Sequence, residues 1–415
     1  LDNIARFIED VYNKKRLHSA IGYRSPIDFE REKEREMEKW GESIESFKYC
    51  FLTSCILTGV HPKLRAKMKS ALITGITGQD GAYLAKFLLD KGYEVYGTYR
   101  RLSTPNFWRL QYLDIFERVN LIPADLVDVG SIVEAVKISE PAEIYHLAAQ
   151  SFVGASFEQP IGTGEITGLG VTRVLEAIRQ INPEIKFYQA STSELYGEGH
   201  SSNLTESTPF QPSSPYAAAK LYGYWLTRQY REAYEIFACN GILFNHESPL
   251  RGLEFVTRKI SNAVAKIALG IEKELRLGNL DAKRDWGYAP EYCVSMWLML
   301  QQKEPDDYVI ATNETHSVRE FCEKAFDVVG LDWQEYVKVD RRFLRPLDVT
   351  FLQGDYSKAK KKLGWEPKVK FDELVKIMVK EELDRWERWQ SGERFPWDAP
   401  NYPSEAKIIR RALKV

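Results

Sequence analysis

The stretch Ala71-Leu-Ile-Thr74, followed by Gly75-x-x-Gly78-x-x-Gly81, limits what this chain can fold into more than any other feature. The first four residues read as a buried strand, and Tyr83, Leu84, Phe87 and Leu88 then recur at helical spacing. A strand that turns on glycines into a helix builds a dinucleotide pocket. The missing Cβ atoms admit a pyrophosphate to the backbone, and the helix N-terminus faces its charge. Gly75, Thr77, Gly78, Gln79, Asp80 and Gly81 are the candidate residues of that turn. A second strand, Tyr93 to Thr98, runs into Tyr99-Arg100-Arg101, where an acidic residue would hold a free ribose hydroxyl. Arginines there suit a 2′-phosphate, so the expected cofactor is NADP rather than NAD.

The beat of strand and helix continues. Val119 to Pro123 is a strand followed by Asp125 and Leu126, where adenine edges are met, and Glu143 to Leu147 is another, followed by Ala148, Ala149, Gln150 and Ser151. Helices are expected at 129–139 and 165–181. This alternation predicts an α/β fold, a doubly wound parallel sheet with helices on both faces and right-handed crossovers. His146 reads as a strand-end histidine with satisfied partners, not a catalyst. A strand over Ile236 to Leu243 ends at Phe244-Asn-His-Glu-Ser-Pro-Leu-Arg251, and beyond it Arg, Lys, Trp and Tyr mix in helices and loops. Basic and aromatic groups over a strand-end crevice suit a diphosphate and a stacked base. The expected division is a nucleotide-binding domain over 68–245 and a smaller mixed substrate subdomain over 246–415, with a strand near 306–311 returning to the sheet.

Chemistry is concentrated in Ser191-Thr-Ser-Glu-Leu-Tyr-Gly197 and Pro215-Tyr-Ala-Ala-Ala-Lys220. The first follows the apolar run Ile185 to Ala190, a buried strand that delivers Thr192 and Glu194 to its carboxyl end, where open α/β sheets bind ligands. The second begins a helix whose Tyr216 and Lys220, four apart, share a face. A phenol is a poor base at neutral pH, and an adjacent ammonium and a helix N-terminus both favour the phenolate. Thr192, Tyr216 and Lys220 therefore form a set for taking a proton from an alcohol while hydride leaves its carbon, with Glu194 as a second acid or base. The same spacing recurs at Tyr356 to Lys360 without a preceding strand, and there it reads as a solvated helix face.

At 415 residues and 44% hydrophobic, the chain can bury a large core and form more than one subdomain. A formal net charge of −2 gives no bulk attraction to nucleic acid or an anionic membrane. Cys50, Cys55, Cys239, Cys293 and Cys322 are odd in number and sit mostly in apolar runs, as suits reduced thiols in a cytoplasmic protein. Cys50 and Cys55 lack the second pair that a zinc site needs, and no metal is expected. The apolar stretch Tyr49 to Val60 is too short to span a bilayer and too far in for a signal peptide.

From Met68 onward the chain resembles the extended short-chain dehydrogenase/reductases, and within them the GDP-mannose 4,6-dehydratases. The resemblance rests on Thr74 to Gly81, Tyr188 to Gly197, Ser214 to Tyr222, Cys239 to Pro249 and Arg284 to Gly287, blocks that occur in family order. It implies a Rossmann-like fold and conversion of GDP-mannose to the 4-keto-6-deoxy sugar nucleotide plus water. Thr192, Glu194, Tyr216 and Lys220 would be catalytic. NADP would be met by the glycine turn together with Arg100, Arg101, Asp125, Leu126, Leu147, Ala149, Ser151, Lys220, His246 and Arg251. GDP-mannose would be met by Ser151, Asn245, Lys259, Arg284, Arg345 and Asp348. A homo-oligomer, dimer or tetramer, is implied too, although the segment between Arg101 and Leu113 is shorter than the two-arginine loop with which many members reach a neighbour's cofactor. Gly162 stands where some members carry a cofactor-contacting tyrosine, and Asp348 where glutamate is more usual. Another nucleotide-sugar dehydratase, 4-epimerase or reductase on the same scaffold is the alternative.

Phe7 to Glu30 resembles a different family, the extreme C-terminal end of insertion-sequence transposases with an integrase-like catalytic domain. The three metal-holding carboxylates of those enzymes precede this tail and are not in the chain, which argues against a DNA enzyme or binding module. The expectation is a transposase remnant over 1–33 and a poorly ordered linker over 34–67, joined ahead of Met68 as a non-globular extension.

Overall fold

The computed structural model describes residues 68–393, apart from 105, 200–202, 344–348 and 350. The transposase-like stretch and the linker expected after it lie outside the described residues, as do Arg345 and Asp348.

Seven strands form one sheet: β1 (Ser70–Thr74), β2 (Glu94–Tyr99), β3 (Asn120–Pro123), β4 (Glu143–His146), β5 (Lys186–Thr192), β6 (Ala238–Leu243) and β7 (Tyr308–Ile310). Their order is β3-β2-β1-β4-β5-β6-β7, and every pairing is parallel. The direction of winding reverses between β1 and β4, and a crevice opens there beyond the carboxyl ends of the strands.

Alternation along the strands sorts side chains onto two faces. Ala71 and Ile73 of β1 join a core with Leu84 and Leu88 of α1 (Gln79–Asp90). Leu72, between them, points into the other core, with Ile132 of α2 (Val129–Ser139) and Val171 and Leu175 of α3 (Gly170–Ile181). Both faces are covered, which is why the strands read as nearly continuous apolar runs. The helix expected over 165–181 begins instead with a π-helical turn at Gly164–Leu169. Glycines are poor helix formers, and Gly168 lies close to the backbone of α4 (Pro215–Tyr234) at Ala219.

Beyond β6 the chain builds a second core around α5 (Val256–Ala268), α7 (Val318–Asp327) and α8 (Phe371–Gln390), in which the rings of Trp286, Phe321 and Phe371 pack together. Between α5 and α7 it returns to the first core, where Met296 and Met299 of α6 (Ala289–Leu300) join the cluster that holds α1, and β7 extends the sheet. No helix among the described residues is long and apolar enough to cross a membrane.

Candidate active site

The glycine turn is closed so tightly that two of its positions have no room for a Cβ. Gly75 has φ +74°, a left-handed conformation, and a Cβ built there would lie 2.9 Å from the Ala148 Cα. A Cβ on Gly81 would collide with the Gly75 carbonyl oxygen and lie 2.6 Å from the Ile76 Cα. Glycine at both sites lets the turn close between β1 and β4 and leaves the first turn of α1 open to an anion, since no side chain caps it. A cavity of about 480 Å³ lies against this turn. Of the candidate cofactor residues, Gly75, Thr77, Gly78, Arg100, Asp125, Leu126, Leu147, Ala149 and Ser151 line it. Arg101, Gln79, Asp80, Gly81, Lys220, His246 and Arg251 are not in its lining. Gln79 is turned inward: it donates to the His246 carbonyl at 3.2 Å and accepts from the Ser248 hydroxyl at 2.8 Å. Glu254 does line the cavity, and sequence reasoning missed it. It sits three residues past Arg251 in a loop whose pattern carries no signal.

Thr192 ends β5, and its hydroxyl accepts from the Glu194 amide at 3.2 Å, which fixes the turn that carries Glu194. The helix bearing Tyr216 and Lys220 starts where the sequence places it, with Pro215 in its first turn and the Ser214 hydroxyl accepting from the Ala217 amide at 3.1 Å. Tyr216 and Lys220 are buried. Burial first, and then the charge of Glu194, raise the Tyr216 phenol above its usual range, against a smaller pull from Thr192 and Arg251. The net direction is opposite to the lowering expected from Lys220 and the helix N-terminus. The Lys220 ammonium donates to the Ala190 carbonyl at 2.7 Å and stands 5.9 Å from the centre of the tyrosine ring. Burial lowers Lys220 itself to about 8, with Asp80 opposing.

His246 faces the start of α1. Its Nδ1 lies 2.7 Å from the Phe244 carbonyl oxygen and its Nε2 lies 2.8 Å from Asp80 Oδ2. Both partners accept only, so both ring nitrogens carry hydrogen and the ring is an imidazolium. Burial works against the Asp80 carboxylate, yet the pull of His246, then Gln79 and Arg251, holds it down at about 2. Arg251 lies over the Phe255 ring with its Nε 3.2 Å from Glu247 Oε2. His146, by contrast, is a buried strand-end residue whose Nδ1 is 2.9 Å from the Thr74 hydroxyl, and burial, then Lys220, lowers it to about 3.

On the substrate side, Asn245 opens a short strand, Asn245–Glu247, paired with Trp286–Tyr288. Arg284 is buried, and the neighbouring Asp285 accepts from the Thr312 amide and hydroxyl and from the Asn313 and Gly354 amides at 2.7–3.2 Å. The Lys259 ammonium lies 3.7 Å from the centre of the Phe343 ring.

Residues 72–378 match the family described as GDP-mannose 4,6 dehydratase. GDP-mannose 4,6 dehydratase 1 of Arabidopsis thaliana is 51% identical over 326 residues, covering 76% of this chain and 90% of that protein. Among solved structures, a dTDP-glucose 4,6-dehydratase from Bacillus anthracis in complex with NAD has a TM-score of 0.68 at 21% identity, covering 78% of this chain and 99% of the other. A UDP-glucose 4-epimerase from Thermus thermophilus in complex with NAD has a TM-score of 0.66 at 26% identity, covering 75% and 98%.

Proposed function

The chain belongs to the GDP-mannose 4,6-dehydratase family, and on that premise we propose that it converts GDP-mannose to GDP-4-keto-6-deoxymannose and water. The cavity against Gly75 would hold a nicotinamide cofactor, which would supply a reversible hydride acceptor for the oxidation at C4 and the reduction at C6. Tyr216, in its ionised phenolate form, takes the O4 proton, with the Thr192 hydroxyl bonded to the same oxygen and Lys220 holding positive charge behind it. The 4-ketone acidifies the C5 proton. Glu194 removes that proton, water leaves from C6, and C5 is then reprotonated.

The observation that carries this reading is the convergence at the end of β5 of a hydroxyl, a carboxylate, a phenol and an ammonium. Glu194 is close enough to bear on the Tyr216 phenol, so two acid/base groups act on neighbouring carbons of one sugar. A 4-epimerase or simple reductase needs no base for C5. Arg100 in the cavity wall supports NADP over NAD, since a guanidinium pairs with a 2′-phosphate. Asn245, Lys259, Arg284, Arg345 and Asp348 are assigned to GDP-mannose, and Ser151 to both ligands. A homo-oligomer, dimer or tetramer, is carried over from the family resemblance alone. The test is incubation with a panel of sugar nucleotides followed by mass spectrometry. GDP-mannose should lose one water while the others keep their mass; retention of the water by GDP-mannose refutes the reading.

A further inference from the structure

Behind the glycine turn, three arginines from three parts of the chain donate to three consecutive backbone carbonyls. Arg385 Nη1 donates to Pro249 O at 3.0 Å, Arg109 Nε to Leu250 O at 2.7 Å, and Arg258 Nη1 to Arg251 O at 2.5 Å. The buried Trp108 ring lies under all three guanidiniums, at 4.4 Å from Arg109, 5.7 Å from Arg258 and 5.9 Å from Arg385. Buried Glu382 neutralises two of them, at 2.7 Å from Arg258 and 2.9 Å from Arg385. Such carbonyls need donors, and the chain meets the need with charged ones.

Arg109 does one thing more: its Nη1 donates to Thr77 O, inside the glycine turn, at 3.2 Å. One planar fork thus joins the turn that lines the cavity at Thr77 to the turn that leads to Glu254 in the same cavity wall. We propose that Arg109 is a positioning residue that sets the spacing of these two turns, and with it the fit of the groove to a dinucleotide pyrophosphate. Arg258 of α5 and Arg385 of α8, joined through Glu382, anchor the far turn to these two helices. This rests on reading the groove as the dinucleotide site, and it is independent of the choice between NADP and NAD, because both carry the pyrophosphate.

The full-length chain with Arg109→Met keeps an apolar stem beside Trp108 but loses both donors; Arg109→Lys keeps the charge but cannot span the two carbonyls as a fork. Calorimetric titration with NADP and with NAD, and amide hydrogen exchange read at 75–81 and 248–252, form the test. Arg109→Met should weaken binding of both dinucleotides about tenfold, with the loss appearing in KM for the cofactor more than in kcat. Arg109→Lys should recover only part of this, and exchange should quicken at both turns together. Unchanged affinity alongside a lowered melting temperature would make Arg109 a stability brace and overturn the proposal, as would loosening of one turn alone. Should the unaltered protein bind neither dinucleotide, the reading of the site fails by itself, and the spacing role stands or falls on the exchange at the two turns.

Discussion

His246 and Asp80, 166 positions apart in the chain, form a buried ion pair with Nε2 2.8 Å from Oδ2 at the first turn of α1. The pairing raises His246 above its ordinary 6.5, overcoming burial, and holds Asp80 at about 2 against an ordinary 3.8. A raised histidine contributes stability that is complete below its unfolded value and lost as pH rises through the folded one. A lowered aspartate contributes above its unfolded value and loses that as pH falls towards 2. The pair therefore works fully between about pH 4 and 6.5. Asp80→Asn should cost about 2 kcal/mol in that window, read as a fall in melting temperature. The gap from the unaltered protein should narrow as pH climbs past the His246 pKa; a gap that stays constant with pH would rule out the charge as its source.

Lys220 is the opposite case. Its folded value of about 8 lies below the ordinary 10.5, so between the two the unfolded chain binds more protons and stability rises with pH. Below about 8 the destabilisation is fully in place. Lys220→Met should therefore melt higher at neutral pH, by about 1 kcal/mol once the lost bond to Ala190 O is counted, and the gain should vanish as pH approaches 10.5. Turnover should drop by about 10²-fold or more. Lower stability at neutral pH would refute the account of Lys220 as a buried cation retained for chemistry.

Much of this was legible in the chain because it is local. The glycine turn, the run of strands and the Pro215–Lys220 helix start depend on spacing within a few residues, and the structure returns them within one or two positions. Four features were not legible. The Asp80–His246 pair and the grip of Arg109 on Thr77 and Leu250 join segments with no shared periodicity, so nothing along the sequence announces them. The direction of the Tyr216 shift was misread because spacing four apart puts two side chains on one face without saying where each head points. Lys220 turns to a strand carbonyl, and burial then governs the phenol. The π-helical turn at Gly164–Leu169 was invisible for a related reason: glycine lowers helix propensity without specifying the alternative.

The proposed preference for NADP rests on Arg100, which lines the cavity beside Tyr99 at the end of β2. Arg100→Ala removes the guanidinium that can pair with a 2′-phosphate and leaves the glycine turn intact. Affinity for NADP should fall about tenfold or more while affinity for NAD changes little, as measured by parallel titrations. Equal losses for both would move the contact from the 2′-phosphate to the part the two cofactors share.

Glu194 carries two effects that one substitution separates. Its carboxylate raises the Tyr216 phenol and, in the proposed reaction, takes the C5 proton. Glu194→Gln keeps the side chain's size and the Thr192 bond to the backbone amide of residue 194 while removing the charge. Loss of water should slow by about 10²–10⁴-fold, followed by mass spectrometry of the sugar nucleotide. Oxidation at C4 should persist, so the absorbance of reduced nicotinamide should build up on the enzyme. Its pH dependence should also move to lower pH, because Tyr216 gives up its proton more easily once the neighbouring negative charge is gone. Dehydration at an undiminished rate would remove Glu194 from the C5 step. A stalled reaction whose oxidation profile does not move would mean that Glu194 acts on the sugar without governing the phenol.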